Sequence, residues 1–99
     1  MKLELENAPT VLNPDADAIT RALASSRVFA ILSQDEMIYI QTSGSAREGF
    51  SLEYQDGDTD RHYRCVDALS LEQVTRAFVS YVQRMDSWKT SLRWHKDDI

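Results

Sequence analysis

Three aspartates at alternate positions, Asp56, Asp58 and Asp60, stand in the stretch FSLEYQDGDTDRHYRC, residues 50 to 65, a spacing with which many calcium loops begin. An EF-hand loop also needs a glycine at its sixth position, a bidentate glutamate at its twelfth and a helix on each side. Counted from Asp56, those positions hold Arg61 and Asp67, and the flanking runs alternate like strands. The aspartates therefore read as a turn, where Asp tolerates unusual backbone conformations. A loop over residues 56 to 59 predicts that Leu52 faces Tyr63, Phe50 faces Cys65, Glu53 faces His62 and Gln55 faces Asp60. Apolar then meets apolar, and carboxylate meets imidazole. Tyr63 and Cys65 fall on the buried face of the ribbon, His62 and Arg64 on the outer one.

Glu53 beside His62 has the makings of an acid–base couple. With no nucleophile or oxyanion donor identifiable nearby, an ordinary cross-strand charge pair is expected. Cys65 lies on the opposite strand parity from His62, so a buried structural thiol is expected. Two histidines and one cysteine supply neither a C-x-x-C nor an H-E-x-x-H spacing, and no metal is expected. The glycines Gly44, Gly49 and Gly57 form no phosphate-cradling motif, and no cofactor is expected. The tail mixes Trp88 and Trp94 with Lys89, Arg93, His95 and Lys96, a set that single-strand binders use for stacking and phosphate contact. A chain with 16 acidic and 11 basic residues and a net charge of −5 repels nucleic acid and anionic membrane and attracts a basic partner. The two tryptophans are better read as core or interface anchors.

Ninety-nine residues, 42% hydrophobic, make a single domain over residues 1 to 99, large enough to bury about 60 to 68% of its unfolded surface without a staple. One cysteine cannot cross-link the chain internally, and the start MKLELENAPT carries no basic segment followed by an apolar core. A cytoplasmic protein is expected. The longest apolar run, residues 28 to 32, is far short of the roughly 20 residues that span a bilayer.

The positioning elements follow from pattern. Residues 2 to 6 alternate as a short strand. Asn13 as cap and Pro14 at the first helical position predict a helix over residues 14 to 25, burying Ile19, Ala22 and Leu23. Residues 28 to 32, apolar on both faces, suit a central strand, and residues 37 to 42 pair back against it. SGSAREG, residues 43 to 49, reads as a loop, and Phe50, Leu52 and Tyr54 then mark a half-buried strand. Ser70 and Gln73 predict a capping box, with Leu69 stapled onto Val74. A helical stripe of Leu71, Val74, Phe78, Tyr81, Val82 and Met85 follows, with Glu72, Arg76, Ser80 and Gln83 opposite. Trp88, Thr90, Leu92 and Trp94 share one parity, which suggests a last strand.

The runs FAILSQDEMIYIQTS, GFSLEYQDGDTDRHYRC and LSLEQVTRAFVSYVQRMDSWKTSLRWHK, within residues 28 to 96, resemble a family of small bacterial proteins, some of them grouped with immunity proteins of polymorphic toxin systems. The landmarks are Gln41, the Glu53-Tyr54 pair, Tyr63, the Ala77, Phe78 and Tyr81 helix and the two tail tryptophans. The resemblance implies a stoichiometric protein that binds a cognate toxin and blocks its active surface.

The expectation is an α+β domain: one antiparallel sheet of four to six strands with two helices, the second packed on one face. The expected function is a non-catalytic protein-binding module, with toxin immunity as its most specific form. Its partner surface is an acidic edge of Glu53, Asp56, Asp58 and Asp60 with His62, suited to a basic toxin domain. The alternatives are a small enzyme or ligand binder using the Glu53 and His62 face, and an accessory protein that dimerises through its Trp88 to Trp94 tail.

Overall fold

The computed structural model describes residues 1–6, 8–24 and 27–97. The strands are β1 (Lys2–Leu5), β2 (Ala8–Leu12), β3 (Arg27–Asp35), β4 (Ile38–Ser45), β5 (Gly49–Asp56), β6 (His62–Cys65) and β7 (Trp94–Lys96). The helices are α1 (Ala16–Leu23), α2 (Leu71–Val82) and α3 (Ser87–Thr90). All neighbouring strands pair antiparallel in one open sheet, ordered β2-β1-β3-β4-β5-β6-β7. The α+β architecture is as expected, with seven strands in place of four to six and three helices in place of two among the described residues.

Alternation sorts the strands into faces. Leu3, Val28, Ala30, Leu32, Ile40, Phe50, Leu52, Tyr54 and Cys65 point inward, where they share one core with Ile19 and Leu23 of α1 and Val74, Ala77, Phe78 and Tyr81 of α2. Thr42 sits fully within that core because its hydroxyl donates to the Ser51 carbonyl at 2.6 Å. The β3 run, expected to be buried on both sides, is buried on one: Phe29 is 43% exposed on the opposite face. Among the described residues every helix contributes to the inner core, so the outer face of the sheet carries no helical cover.

Both unforeseen elements have a local reason. β2 contains Pro9 and exposed side chains without alternation, and it runs along an edge, where a missing N–H removes no ladder bond. In the tail, residues 88 and 92 lie on one side in a strand and also in a helix, because four residues is close to both periods. The expected strand from Trp88 becomes α3 followed by the short β7. β4 likewise continues through Ser45, so the expected loop over residues 43 to 49 shrinks to residues 46 to 48.

The caps differ at one helix and match at the other. Asp15, not Asn13, caps α1, its carboxylate accepting from Ala18 N at 2.8 Å. Asn13 takes a left-handed φ of 50° and accepts from the Met1 amine, which leaves Pro14 ahead of the helix. The helix begins at Ala16 and ends at Leu23, and Ser25, its expected last residue, lies outside the described residues. At α2 the reciprocal Ser70–Gln73 capping box is present, and Leu69 and Val74 are both buried. The helix closes in a Schellman turn: Arg84 is left-handed, its N–H bonds Tyr81 O, and Met85 N–H bonds Ser80 O. That turn carries Met85 off the expected apolar stripe, leaving it 55% exposed. Ser80, expected on the polar side, is buried under α3, where its hydroxyl meets Ser87 Oγ at 2.7 Å and accepts from Trp88 N.

Candidate functional site

The registers lay two rows of side chains across the uncovered face. One runs Glu4, Ile31, Gln41, Glu53, Arg64, His95 from β1 to β7. The other runs Lys2, Ser33, Tyr39, Gln55, His62 and continues to Asp97, whose N–H bonds the His62 carbonyl at 2.9 Å. Side chains two positions apart on adjoining strands reach one another on such a face.

The register of β5 with β6 differs from the expected one. Glu53 pairs with Arg64, Tyr54 with Tyr63 and Gln55 with His62. The connecting loop is longer than four residues because a single 3-10 turn, Thr59–Arg61, is built into it. Asp58 caps that turn through a 3.1 Å bond from Asp60 N. The slip amounts to two residues, so every side chain keeps its expected face: Tyr63 stacks on Tyr54 with centroids 4.8 Å apart, Cys65 is buried, and His62 and Arg64 lie outside.

Where the rows meet β6, the side chains of Glu53, His62, Arg64 and Asp97 converge. His62 Nε2 lies 3.1 Å from Glu53 Oε1 and 3.6 Å from Asp97 Oδ2. Arg64 Nη2 lies 3.3 Å from the same Glu53 oxygen and 3.9 Å from the same Asp97 oxygen. Gln41 donates to the other Glu53 oxygen at 3.2 Å. On the far side of the imidazole, Nδ1 meets Gln55 Oε1 at 3.2 Å, and that oxygen also accepts from the Tyr39 hydroxyl at 3.3 Å. Although it is on the outer face, the His62 side chain is only 9% exposed, because Tyr39, Glu53 and Asp97 crowd it. Burial pushes the Glu53 carboxyl upward, but the hydrogen bonds from His62 and Gln41 and the charge of Arg64 outweigh it and hold it below its usual value of 4.5. Burial and the Glu53 charge raise the Tyr39 phenol.

The expected acidic edge therefore divides. Asp56, Asp58 and Asp60 are exposed in the loop, whereas Glu53 and His62 are engaged with each other and largely covered. The alternate aspartates do not converge: among the described residues, the group close enough to ligate one ion is Glu53, His62 and Asp97. Asp97 had no motif to mark it, since residues 53, 62 and 97 are brought together only by strand pairing. The loop adjoins the tip of β4, where Asp56 pairs with Ile38 and Gly57 N–H bonds Met37 O. Beside that tip, Ile31, Ser33, Tyr39 and Gln41 line an open depression of about 730 Å³.

The tail tryptophans face inward. Tyr54 takes Trp88 and Trp94 edge-on at 4.8 and 4.6 Å, and Trp94 Nε1 donates to Lys89 O at 2.9 Å. Both indoles are partly buried against the core, and β7 is left as a three-residue sheet edge. Arg93 ties the tail to the end of β6 through a two-pronged bond to Asp67 at 2.6 and 3.1 Å. No helix among the described residues is long and apolar enough to cross a membrane. Compared with protein-family models, with curated proteins and with solved structures, the chain finds no match in any of the three.

Proposed function

We propose that this chain is a non-catalytic, cytoplasmic protein-binding module, with neutralisation of a basic toxin domain as its most specific form. The observation that carries the reading is the uncovered outer face of the sheet, with Phe29, Ile31 and Tyr39 part-exposed on it. An apolar and aromatic surface inside a charged margin is what protein interfaces are built from. Beside it stand the exposed Asp56, Asp58 and Asp60, and the whole chain carries −5. Such a field speeds encounter with a basic partner and sets orientation more than it sets affinity. The resemblance of residues 28 to 96 to a family of small bacterial proteins, some of them grouped with immunity proteins, points the same way.

The geometry of Glu53 and His62 favours binding over catalysis. The pair lies on an open sheet surface and Glu53 already has partners on both oxygens, whereas an acid–base couple works from an enclosed pocket with a reacting group in reach. The test is co-expression with the product of the neighbouring coding sequence. A toxin-blocking chain restores growth and co-purifies in a one-to-one complex, and D56N/D58N/D60N slows association about tenfold at low salt with little change at high salt. Absence of both rescue and complex would sink the reading.

A further inference from the structure

We propose that Glu53, His62 and Asp97 form a binding site for one divalent cation of the zinc class, on the outer face where β5, β6 and the end of β7 meet. Three protein ligands are present, one imidazole nitrogen and two carboxylate oxygens, with all three atoms within 4.8 Å of one another. Ligand atoms sharing a cation at about 2.1 Å stand roughly 3 to 3.5 Å apart, and His62 Nε2 is already 3.1 and 3.6 Å from the two oxygens. Small side-chain rotations suffice to close the set.

The surroundings orient each ligand. Gln55 Oε1 already accepts from the Tyr39 hydroxyl, and as a carbonyl oxygen it takes the His62 Nδ1–H as well. With Nδ1 held by Gln55, Nε2 is the nitrogen that faces the two carboxylate oxygens, and in the tautomer that leaves it a lone pair all three atoms can ligate one shared cation. A ligating histidine anchored through its other nitrogen is the usual construction of a metal site. Glu53 is oriented in the same way: Gln41 occupies Oε2 and leaves Oε1 facing His62. Asp97 is held by its backbone bond to the His62 carbonyl. Gln41 and Gln55 thus serve as positioning residues and touch no ion themselves.

The mixed donor set selects the metal. Calcium and magnesium take oxygen ligands throughout, while an imidazole with carboxylates suits zinc and its neighbours in the first transition row. Arg64 stands where a rival cation would, near both carboxylates, and its side chain is 59% exposed and free to swing into water. A metal at this site competes with that guanidinium for the same oxygens.

The site is independent of any protein partner, so it is tested on the isolated chain. Chelator-treated protein is titrated with Co²⁺, read by its visible d–d absorption, and with Zn²⁺, read by calorimetry. One equivalent of binding is expected, weakened at least about tenfold in D97N and in H62Q and strengthened in R64Q, where the competing charge is gone. D97N changes a part-exposed side chain after the last strand, so far-UV circular dichroism is expected to show it folded even if H62Q is not. A wild-type chain that takes up no stoichiometric metal overturns the proposal, as does unchanged metal affinity in folded D97N.

Discussion

Glu53 Oε1 lies 3.1 Å from His62 Nε2 although the backbone sets Glu53 opposite Arg64 and His62 opposite Gln55. The contact is a diagonal across two strands, and it survives because a two-residue change of register moves a side chain along its face without turning it over. Two neighbours, Arg64 and Gln41, then share the Glu53 carboxylate with the imidazole.

Glu53 gives the fold a pH-dependent contribution. Its folded-state carboxyl titrates below the usual 4.5, so the stabilisation is complete above that value and is lost as pH falls through the lower, folded-state one. E53Q is expected to unfold about 1 kcal/mol more easily than the wild type near neutral pH. In urea titrations the gap between the two should narrow as pH falls below 4.5 and through the lower, folded-state value. A gap that persists unchanged in acid contradicts the assignment.

Tyr54 makes the opposite contribution at the alkaline end. Burial, with help from Tyr63 and Asp56, pushes its phenol up to about 12. The neutral phenol is favoured in the folded chain, so its contribution is intact below the ordinary 10.0 and is lost as pH rises toward about 12. Spectrophotometric titration is expected to show a late ionisation that disappears in Y54F. Four tyrosines ionising together near 10 would refute it.

Gly44 and Gly57 both have φ beyond +20°, yet substitution should separate them sharply. A Cβ on Gly44 meets Gly49 O at 2.2 Å and Phe50 Cα at 2.8 Å, both immovable backbone, whereas one on Gly57 meets nothing within 4 Å. G57A carries only the left-handed backbone cost of about 1 kcal/mol. G44A adds a clash between paired strands and is expected to cost at least about 3 kcal/mol. Equal losses in thermal denaturation would show that β4 and β5 are not in this register.

Tyr81 is buried, and among the described residues its hydroxyl has no well-formed hydrogen bond: the nearby Gln34 Oε1 accepts from Arg84 instead. Y81F removes an unsatisfied polar atom and leaves the ring edge-on to Trp88. Its stability should equal or exceed that of the wild type by up to about 1 kcal/mol. A clear loss in the midpoint of urea unfolding points to a partner for the hydroxyl.

Trp94 closes the end of the sheet. W94F keeps an aromatic ring near Tyr54 but loses the bond to Lys89 O, and W94A loses both. The expected costs are about 1 and about 3 kcal/mol, read from thermal unfolding. If W94A is neutral, the α3 and β7 tail is not part of the cooperative unit.

Much of this chain is legible in residue order because the signals are local. Ser70 with Gln73 writes the start of α2, and Phe50, Leu52 and Tyr54 write the inner face of β5. The hairpin pairing read around His62 also assigns Tyr63 and Cys65 inward, although its register is two residues from the actual one. Where a local pattern fits two elements, as in Trp88 to Trp94, or none, as in the Pro9 strand, the sequence left the choice open. There the sheet's unpaired edges settled it.

The outer-face site belongs to the second kind. Period-two alternation determines which face a side chain occupies, and it does so for Glu53 and His62 without ambiguity. It cannot determine which residue lies across from which, since pairings that differ by two leave every face unchanged. Only the assembled sheet, with its widened loop at Asp58 and its final strand laid beside β6, brings Asp97 to His62 and Glu53. Sequence order alone keeps those three residues apart by most of the second half of the chain.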